Sequence, residues 1–143
     1  MPLDEEMRII KAYLDVERLR LGEKLRLEIE VTPEAQAVPI PILSIQPLVE
    51  NAVKHGIAPQ AEGGLIQIHA NLDSQGALRI SVRDSGAGFS KSSHAGVGLE
   101  NVERRLELCY GGEARLAIES GASGTEVTVQ IPAASAKPAE ALP

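Results

Sequence analysis

The sequence predicts an α+β fold, a two-layer sandwich in which a β-sheet packs against helices. Segments with alternating apolar and polar residues, typical of strands with one buried face, come in pairs separated by short turns. Segments with apolar residues three and four positions apart, typical of amphipathic helices, lie between these strands. Hydrophobic residues make up 43% of the 143-residue chain, which is enough to form one core.

The composition excludes several classes of protein. The chain has 14 Lys and Arg against 20 Asp and Glu, and it contains only three aromatic residues, Tyr13, Phe89 and Tyr110. It therefore offers neither the cationic surface nor the stacking platforms that nucleic-acid binding needs. No apolar run approaches the roughly 18 residues of a membrane-spanning helix. We expect a soluble domain, and the single cysteine, Cys109, fits a reducing cytosol.

The first predicted helix runs from Asp4 to about Leu21, with Gly22 as its C-cap. One face carries apolar residues at alternating spacings of four and three, with Glu17 as the one break, and a second, neighbouring face is also apolar. This pattern indicates that the helix packs on its own domain with one face and on a further partner with the other. The first face consists of Leu3, Met7, Ile10, Leu14 and Leu21, and the second of Ile9, Tyr13, Val16 and Leu19.

The remaining elements follow in order. In the middle helix, which Gly56 should end, Pro47 either kinks the helix or marks where its regular part begins. Two later strands, 65–72 and 78–84, should pair as an antiparallel hairpin. The predicted elements after the first helix are a strand at 25–31, the middle helix at 45–53, the strand pair, a loop at 84–98, a helix at 99–109, strands at 114–120 and 125–131, and a low-complexity tail from 133.

A candidate ligand site lies where the second strand of the hairpin ends. Asp84 is followed by Gly86 and Gly88 in the pattern D-x-G-x-G. Two glycines spaced in this way let the backbone approach a flat ligand while the carboxylate accepts a hydrogen bond from it, although a strand-end acid can also simply begin a turn. Gly96 and Gly98 precede the next helix, a position suited to phosphate oxygens.

The middle helix carries a second set of polar residues. Glu50, Asn51, Lys54 and His55 lie opposite its apolar stripe, and taken alone they fit an ordinary solvated helix face. Neither a P-loop nor a Rossmann glycine pattern is present in the sequence.

Four of these segments come in an order that resembles a known family. They are Glu50–Gly56, Asp84–Gly88, Gly96–Leu99 and Ser123–Thr125, and they resemble the asparagine box and successive glycine boxes of the GHKL ATPases with their Bergerat nucleotide site. Within that superfamily, PLVENAVKHG and GVGLENVERRL resemble the LytS-type sensor histidine kinases. The resemblance covers Leu3–Pro132 and implies a mixed, mostly antiparallel sheet packed on helices.

The resemblance also implies two parts of the chain. Residues 1–22 would form a helix that links the domain to a dimerisation and phosphoacceptor hairpin, and residues 23–132 would form the ATP-binding catalytic domain. Residues 133–143 lie outside the resemblance, and their low-complexity composition predicts a disordered tail.

The asparagine box implies the catalytic residues. Asn51 would supply a side-chain oxygen to Mg²⁺, and Glu50 would lie near the γ-phosphate or help the incoming imidazole to lose its proton. Lys54 and Asn101 are further candidates for contact with the phosphates.

The glycine boxes imply the contacts to the base. Asp84 would accept from the adenine 6-amino group with support from Thr125, and Gly86 and Gly88 would let the chain pass close to the base. The hinge and phosphate-binding end of a lid would be formed by Gly96, Gly98 and Leu99.

One departure from the family concerns the phosphoacceptor. Members carry it in a helical hairpin with a segment resembling H-F-x-F-N, which this sequence lacks, and His55, His69 and His94 do not replace it. The sequence therefore predicts the catalytic domain of a two-component sensor histidine kinase that transfers the γ-phosphate of Mg-ATP to a histidine on a separate hairpin domain.

The expected partners are that hairpin, a response regulator and a second copy of the full-length protein, with no nucleic acid. The expected location is the cytoplasm, in a parent protein anchored in the inner membrane. The alternatives are a serine kinase of the anti-sigma-factor type and an ATP-gated interaction module without phosphotransfer.

Overall fold

The computed structural model describes residues 1–41, 44–86 and 96–132. The predicted disorder of residues 133–143 and the predicted position of Gly88 lie outside the described residues. The helices are α1 (Leu3–Leu21), α2 (Pro33–Gln36), α3 (Gln46–Asn51) and α4 (Gly96–Tyr110). The strands are β1 (Leu25–Val31), β2 (Gly64–Leu72), β3 (Leu78–Asp84), β4 (Arg115–Gly121) and β5 (Gly124–Ile131).

The five strands form a single sheet in the order β1-β2-β3-β5-β4. β1 pairs with β2 in parallel, and every other pair is antiparallel. This arrangement confirms the mixed, mostly antiparallel sheet and the antiparallel hairpin of β2 and β3. The register between β3 and β5 places Asp84 opposite Thr125, so two of the predicted site residues lie side by side.

One face of the sheet is buried under the helices. Along β2, β3 and β5, alternate residues are buried and the intervening ones are more exposed, which gives a two-layer structure. β1 is an edge strand, so Leu25 is buried while Leu27 and Ile29 are only partly covered. The largest fully buried side chains are all Leu or Ile, as the shortage of aromatic residues predicts.

α1 has the predicted length and both of the predicted faces. Its first face is buried in the core from Leu3 to Leu14. On its second face the side chains of Ile9, Val16 and Leu19 are 44%, 62% and 87% exposed. Gly22 adopts a φ of 60° and its N–H donates to the carbonyl of Arg18, which confirms the predicted cap.

The middle helix begins at the position that Pro47 marks. Pro47 lies in the first turn of α3, where its missing N–H is not needed, so the helix is not kinked there. The prediction that Gly56 ends the helix is wrong, because α3 continues as a wider π-helical turn from Ala52 to Ile57. The N–H of Ala58 donates to the carbonyl of Val53 over 2.8 Å, which closes that turn.

The prediction that the loop extends to Gly98 is also wrong. Gly96 and Gly98 belong to the first turn of α4 rather than to the segment before it. Glycine is a poor helix former, but Leu99, Val102 and Leu106 are buried in the core, and this packing holds the helix. The helix ends at Tyr110, one residue after the end of the predicted helix at 99–109.

Candidate functional site

Asp84 lies at the centre of the candidate site. It is the last residue of β3, and only 4% of its surface is exposed. The backbone N–H of Gly86 donates to its Oδ1 over 2.9 Å. A carboxylate held in this way, at the end of a strand and inside the fold, can accept a hydrogen bond from a ligand bound beside it.

Burial changes the acidity of this group. It raises the pKa of Asp84 above its ordinary value of 3.8, because the charged form loses hydration. The backbone N–H groups of Gly86 and Thr125 donate to the carboxylate and limit the rise. The same two donors fix the orientation of the carboxylate.

Three glycines surround Asp84 so closely that no side chain fits in their place. A Cβ on Gly56 would lie 2.4 Å from the Asp84 carboxyl carbon, and one on Gly86 would lie 2.2 Å from the carbonyl oxygen of Gly56. A Cβ on Gly124, whose φ is +129°, would lie 1.9 Å from the Asp84 carbonyl oxygen. The π-helical turn, the end of β3 and the start of β5 therefore meet at Asp84.

Thr125 is buried beside Asp84. Its side chain is 3% exposed, and its Oγ1 lies 2.9 Å from the Oγ of Ser120 on the neighbouring strand β4. Since Thr125 pairs with Asp84 across the sheet, the predicted pair of adenine-binding residues is brought together. The sequence analysis did not predict that Gly56 and Gly124 lie against Asp84, because both glycines are distant from Asp84 in the sequence.

The asparagine-box residues lie at the end of α3 that leads to Gly56. Asn51 is half-buried as the last residue of α3, while Glu50 and Lys54 are exposed. Gln46 lies one helical turn before Glu50, and its Nε2 donates to Oε2 of Glu50 over 2.9 Å. A little more than one helical turn separates Asn51 from Gly56, so one helix carries both the candidate metal ligand and a contact to Asp84.

Glu50 is also linked electrostatically to α1. The pKa of Tyr13 is raised to about 12, first by burial and then by the negative charges of Glu17 and Glu50. Tyr13 lies on the second face of α1, so α1 and the predicted catalytic residue Glu50 are neighbours. The sequence analysis placed Tyr13 on an apolar face and did not foresee this proximity.

A buried acid on α1 holds the start of α3. Glu6 is 1% exposed, and its carboxylate accepts the backbone N–H groups of Ser44, Ile45 and Gln46 at 3.4, 2.6 and 2.9 Å. These N–H groups belong to the helix start, where no carbonyl within the helix can accept them. The sequence analysis missed Glu6, although its position three residues after Leu3 places it on the buried face.

The other predicted residues lie on α4. Gly96 and Gly98 form its first turn, and Leu99 is 2% exposed in the core, where it anchors the helix. Asn101 is exposed and lines an open groove of about 820 Å³ between α4 and β4, together with Arg104. The structure thus brings Asp84 and Thr125 together, and it places Asn101 in a groove formed by other elements.

These side chains fit a magnesium nucleotide. The adenine amino group is a donor, and Asp84 is a buried acceptor surrounded by glycine backbone. Oxygen atoms are the ligands that Mg²⁺ prefers, and the side-chain amide of Asn51 carries one.

Comparison with known proteins agrees with this geometry. Residues 42–135 match the family of histidine kinase-, DNA gyrase B- and HSP90-like ATPases, a span that includes Asn51, Asp84 and Thr125. The chain belongs to this ATPase family. The resemblance to this family that was predicted from the sequence is confirmed.

Sensor histidine kinases are among the relatives of this chain. The sensor protein LytS of Staphylococcus haemolyticus is 34% identical over 94% of this chain and 25% of its own length. The sensor histidine kinase YesM of Bacillus subtilis is 31% identical over 91% of this chain and 23% of its own length. The chain thus spans about a quarter of the length of these curated relatives.

Solved structures show the same fold. The histidine kinase domain of the blue-light activated histidine kinase EL346 of Erythrobacter litoralis superposes with a TM-score of 0.70 at 20% identity. The superposition covers 95% of this chain and 67% of that one. Among the described residues, no helix has both the length and the apolar character needed to cross a membrane.

Proposed function

We propose that this ATPase-family chain is the catalytic domain of a two-component sensor histidine kinase. It binds Mg-ATP and transfers the γ-phosphate to a histidine on a separate hairpin domain. The observation that carries the proposal is the buried Asp84 carboxylate, enclosed by Gly56, Gly86 and Gly124 and next to the helix that bears Asn51. The similarity to LytS and YesM over more than nine-tenths of the chain supports it.

The proposed binding of the base depends on Asp84. Its carboxylate accepts from the adenine 6-amino group, and Thr125 supports it from the adjacent strand. Gly86 and Gly88, two residues further along the chain, allow the backbone to approach the ring. Because the acceptor is fixed by the N–H of Gly86 before the nucleotide arrives, the adenine meets an oriented group, which favours selectivity for this base.

The proposed catalytic step depends on positioning. Asn51 would hold the metal ion, and Glu50 would lie near the γ-phosphate or help the attacking imidazole to lose its proton. Magnesium would neutralise charge on the phosphates and keep them in line with the acceptor. Lys54 and Asn101 are proposed phosphate contacts, and the first turn of α4, with Gly96, Gly98 and Leu99, forms the phosphate-binding end of the lid.

The proposed partners follow from the same assignment. Residues 1–22 link residues 23–132, the ATP-binding part, to the phosphoacceptor hairpin, and the exposed second face of α1 is available for contact with it. The full-length protein forms a homodimer, passes its phosphate to a response regulator and is anchored in the inner membrane with this domain in the cytoplasm.

A phosphotransfer assay tests the proposal. The chain is incubated with Mg²⁺ and γ-labelled ATP, alone and with the separately produced hairpin domain of a LytS-type kinase, and the products are treated with acid. We expect acid-labile label on the hairpin and none on the chain alone. The transfer will be slow, since the two parts lack the high effective concentration of a covalent link.

Other outcomes identify the alternatives. Acid-stable label on a serine would favour a kinase of the anti-sigma-factor type. Tight binding of ATP without transfer to any hairpin histidine would favour an ATP-gated interaction module. A hairpin whose acceptor histidine is replaced by alanine is the control for label at an unrelated position.

A further inference from the structure

We propose that Glu28, Glu30 and His69 form a binding site for a divalent transition-metal cation of the zinc type. The three residues lie on the exposed face of the sheet, where strands β1 and β2 pair. The face that carries Asp84 is the opposite, buried one, so this site is separate from that of the nucleotide and its magnesium ion.

The parallel register of β1 and β2 brings the three side chains together. Glu30 is the partner of His69 across the strand pair, and Glu28 is the partner of Gln67. Residues two apart on a strand point to the same face, so the imidazole of His69 lies beside two carboxylates from the neighbouring strand. The backbone ladder fixes this arrangement without help from any loop.

The distances fit a shared ion. The Nε2 of His69 lies 2.8 Å from Oε2 of Glu28 and 3.8 Å from Oε1 of Glu30, and all three ligand atoms lie within 4.8 Å of one another. Ligand atoms around a tetrahedral zinc ion, at bond lengths of about 2.0–2.1 Å, are separated by about 3.3 Å. The observed distances lie on both sides of this value, so small side-chain rotations bring the three atoms into position.

The ligand chemistry selects the class of metal. An imidazole with two carboxylates suits zinc, copper or nickel, whereas magnesium prefers a set of oxygen ligands alone. The two carboxylates also give the site excess negative charge when the imidazole is neutral. The Nε2 of Gln67 donates to Oε2 of Glu28 over 3.2 Å, which orients one of the proposed ligands.

The site is accessible and does not depend on the core. The side chains of His69, Glu28 and Glu30 are 37%, 42% and 73% exposed, so an ion can reach them and substitutions there leave the fold intact. A bound ion would tie the edge strand β1 to β2 and would raise the stability of the folded chain. The competing interpretation is an ordinary surface ion pair between His69 and Glu28.

Calorimetric titration with Zn²⁺ decides between the two. The 143-residue chain, freed of metal by a chelator and carrying Cys109→Ser to remove its only thiol, is titrated without nucleotide. We expect one ion per chain, with affinity reduced at least ten-fold by Glu30→Gln and by His69→Ala. The matched control is Asn71→Ala, an exposed position two residues after His69 on β2, which should leave the affinity unchanged.

A second readout places the ion. Co²⁺ should give the visible absorption of a four- or five-coordinate site in the parent, and Glu30→Gln should abolish it. Zinc should raise the melting temperature of the parent but not that of Glu30→Gln. Absence of zinc binding to the parent, or equal affinities for the parent, Glu30→Gln and His69→Ala, would overturn the proposal. Neither result bears on ATP binding, which is measured separately.

Discussion

The carboxylate of Glu6 on α1 accepts the backbone N–H of Ile45, immediately before α3, over 2.6 Å. The bond joins two residues far apart in the sequence, and both are buried. It attaches α1 to the start of the helix that ends at Asn51. The position of α1 and that of the asparagine box are therefore mechanically connected.

Replacing Glu6 should destabilise the whole domain. Glu6→Ala leaves the N–H groups of Ser44 and Ile45 buried without an acceptor, so we expect a loss of about 2–4 kcal/mol in the free energy of unfolding. Urea denaturation followed by circular dichroism measures this loss. Glu6→Gln keeps one acceptor oxygen and should lose less, and Glu5→Ala, at an exposed neighbouring position, should change stability by less than about 0.5 kcal/mol.

Most of the fold was predictable because local patterns determine it. The alternation in β2 and β3 and the apolar stripe of α1 each record which side of an element is buried, and both were interpreted correctly. Glu6 was missed because a carboxylate on a buried face is uncommon, and its partners come from a distant segment. Gly56 was interpreted as a helix end for a similar reason, since its contact with Asp84 depends on tertiary packing.

The site itself was predictable in part. Asp84 and Thr125 belong to motifs, and the sheet register brings them together as the motifs imply. Glycines before Leu99 were assigned to a loop because glycine disfavours helices, but burial of Leu99 outweighs that preference. Sequence patterns thus indicated that Asp84 and Thr125 belong to one site, whereas the close packing around Asp84 required the structure.

Adding a methyl group at Gly56 should disrupt the site. In Gly56→Ala the new Cβ would lie 2.4 Å from the carboxyl carbon of Asp84, so the helix or the acid must move. We expect a loss of about 1–3 kcal/mol in stability together with weaker binding of ATP. Thermal unfolding and calorimetry measure the two effects.

The control for this change is Gly112→Ala. A Cβ at Gly112 meets nothing within 4 Å, so the substitution should leave both stability and ATP affinity near the parent values. If the two alanine variants behave alike, the contact between Gly56 and Asp84 is not the tight one described above.

The buried acid should also give the domain a characteristic pH dependence. Because burial raises the pKa of Asp84 above 3.8, the folded chain keeps this proton in a pH window where the unfolded chain has released it. Stability contributed by this group is therefore present below the window and lost as the pH rises through it. Urea denaturation of the parent and of Asp84→Asn, from about pH 3.5 to about pH 6.5, isolates the effect.

In that experiment the stability of the parent relative to Asp84→Asn should fall as the pH rises, since other carboxyl groups contribute equally to both proteins. A relative stability that is constant, or that increases with pH, would contradict the raised pKa. Asp15→Asn, at an exposed position of α1, is the control for simple loss of one carboxylate.

Asp84→Asn should also change which base the site accepts. The N–H of Gly86 needs an acceptor, so it holds the oxygen of the new amide and turns the amide nitrogen toward the nucleotide. That nitrogen is a donor and faces the 6-amino donor of adenine. We expect Mg-ATP to bind about ten- to one-hundred-fold more weakly, measured by calorimetry.

Inosine triphosphate provides the decisive comparison, because it carries a carbonyl oxygen where ATP carries the amino group. The amide nitrogen of Asp84→Asn can donate to that oxygen, so the variant should bind the inosine nucleotide better than the parent does. Asp15→Asn should keep the preference of the parent for ATP. If Asp84→Asn retains both the affinity and the preference of the parent, the adenine pocket lies elsewhere. An amide donor that faced the 6-amino donor of adenine would have to weaken binding.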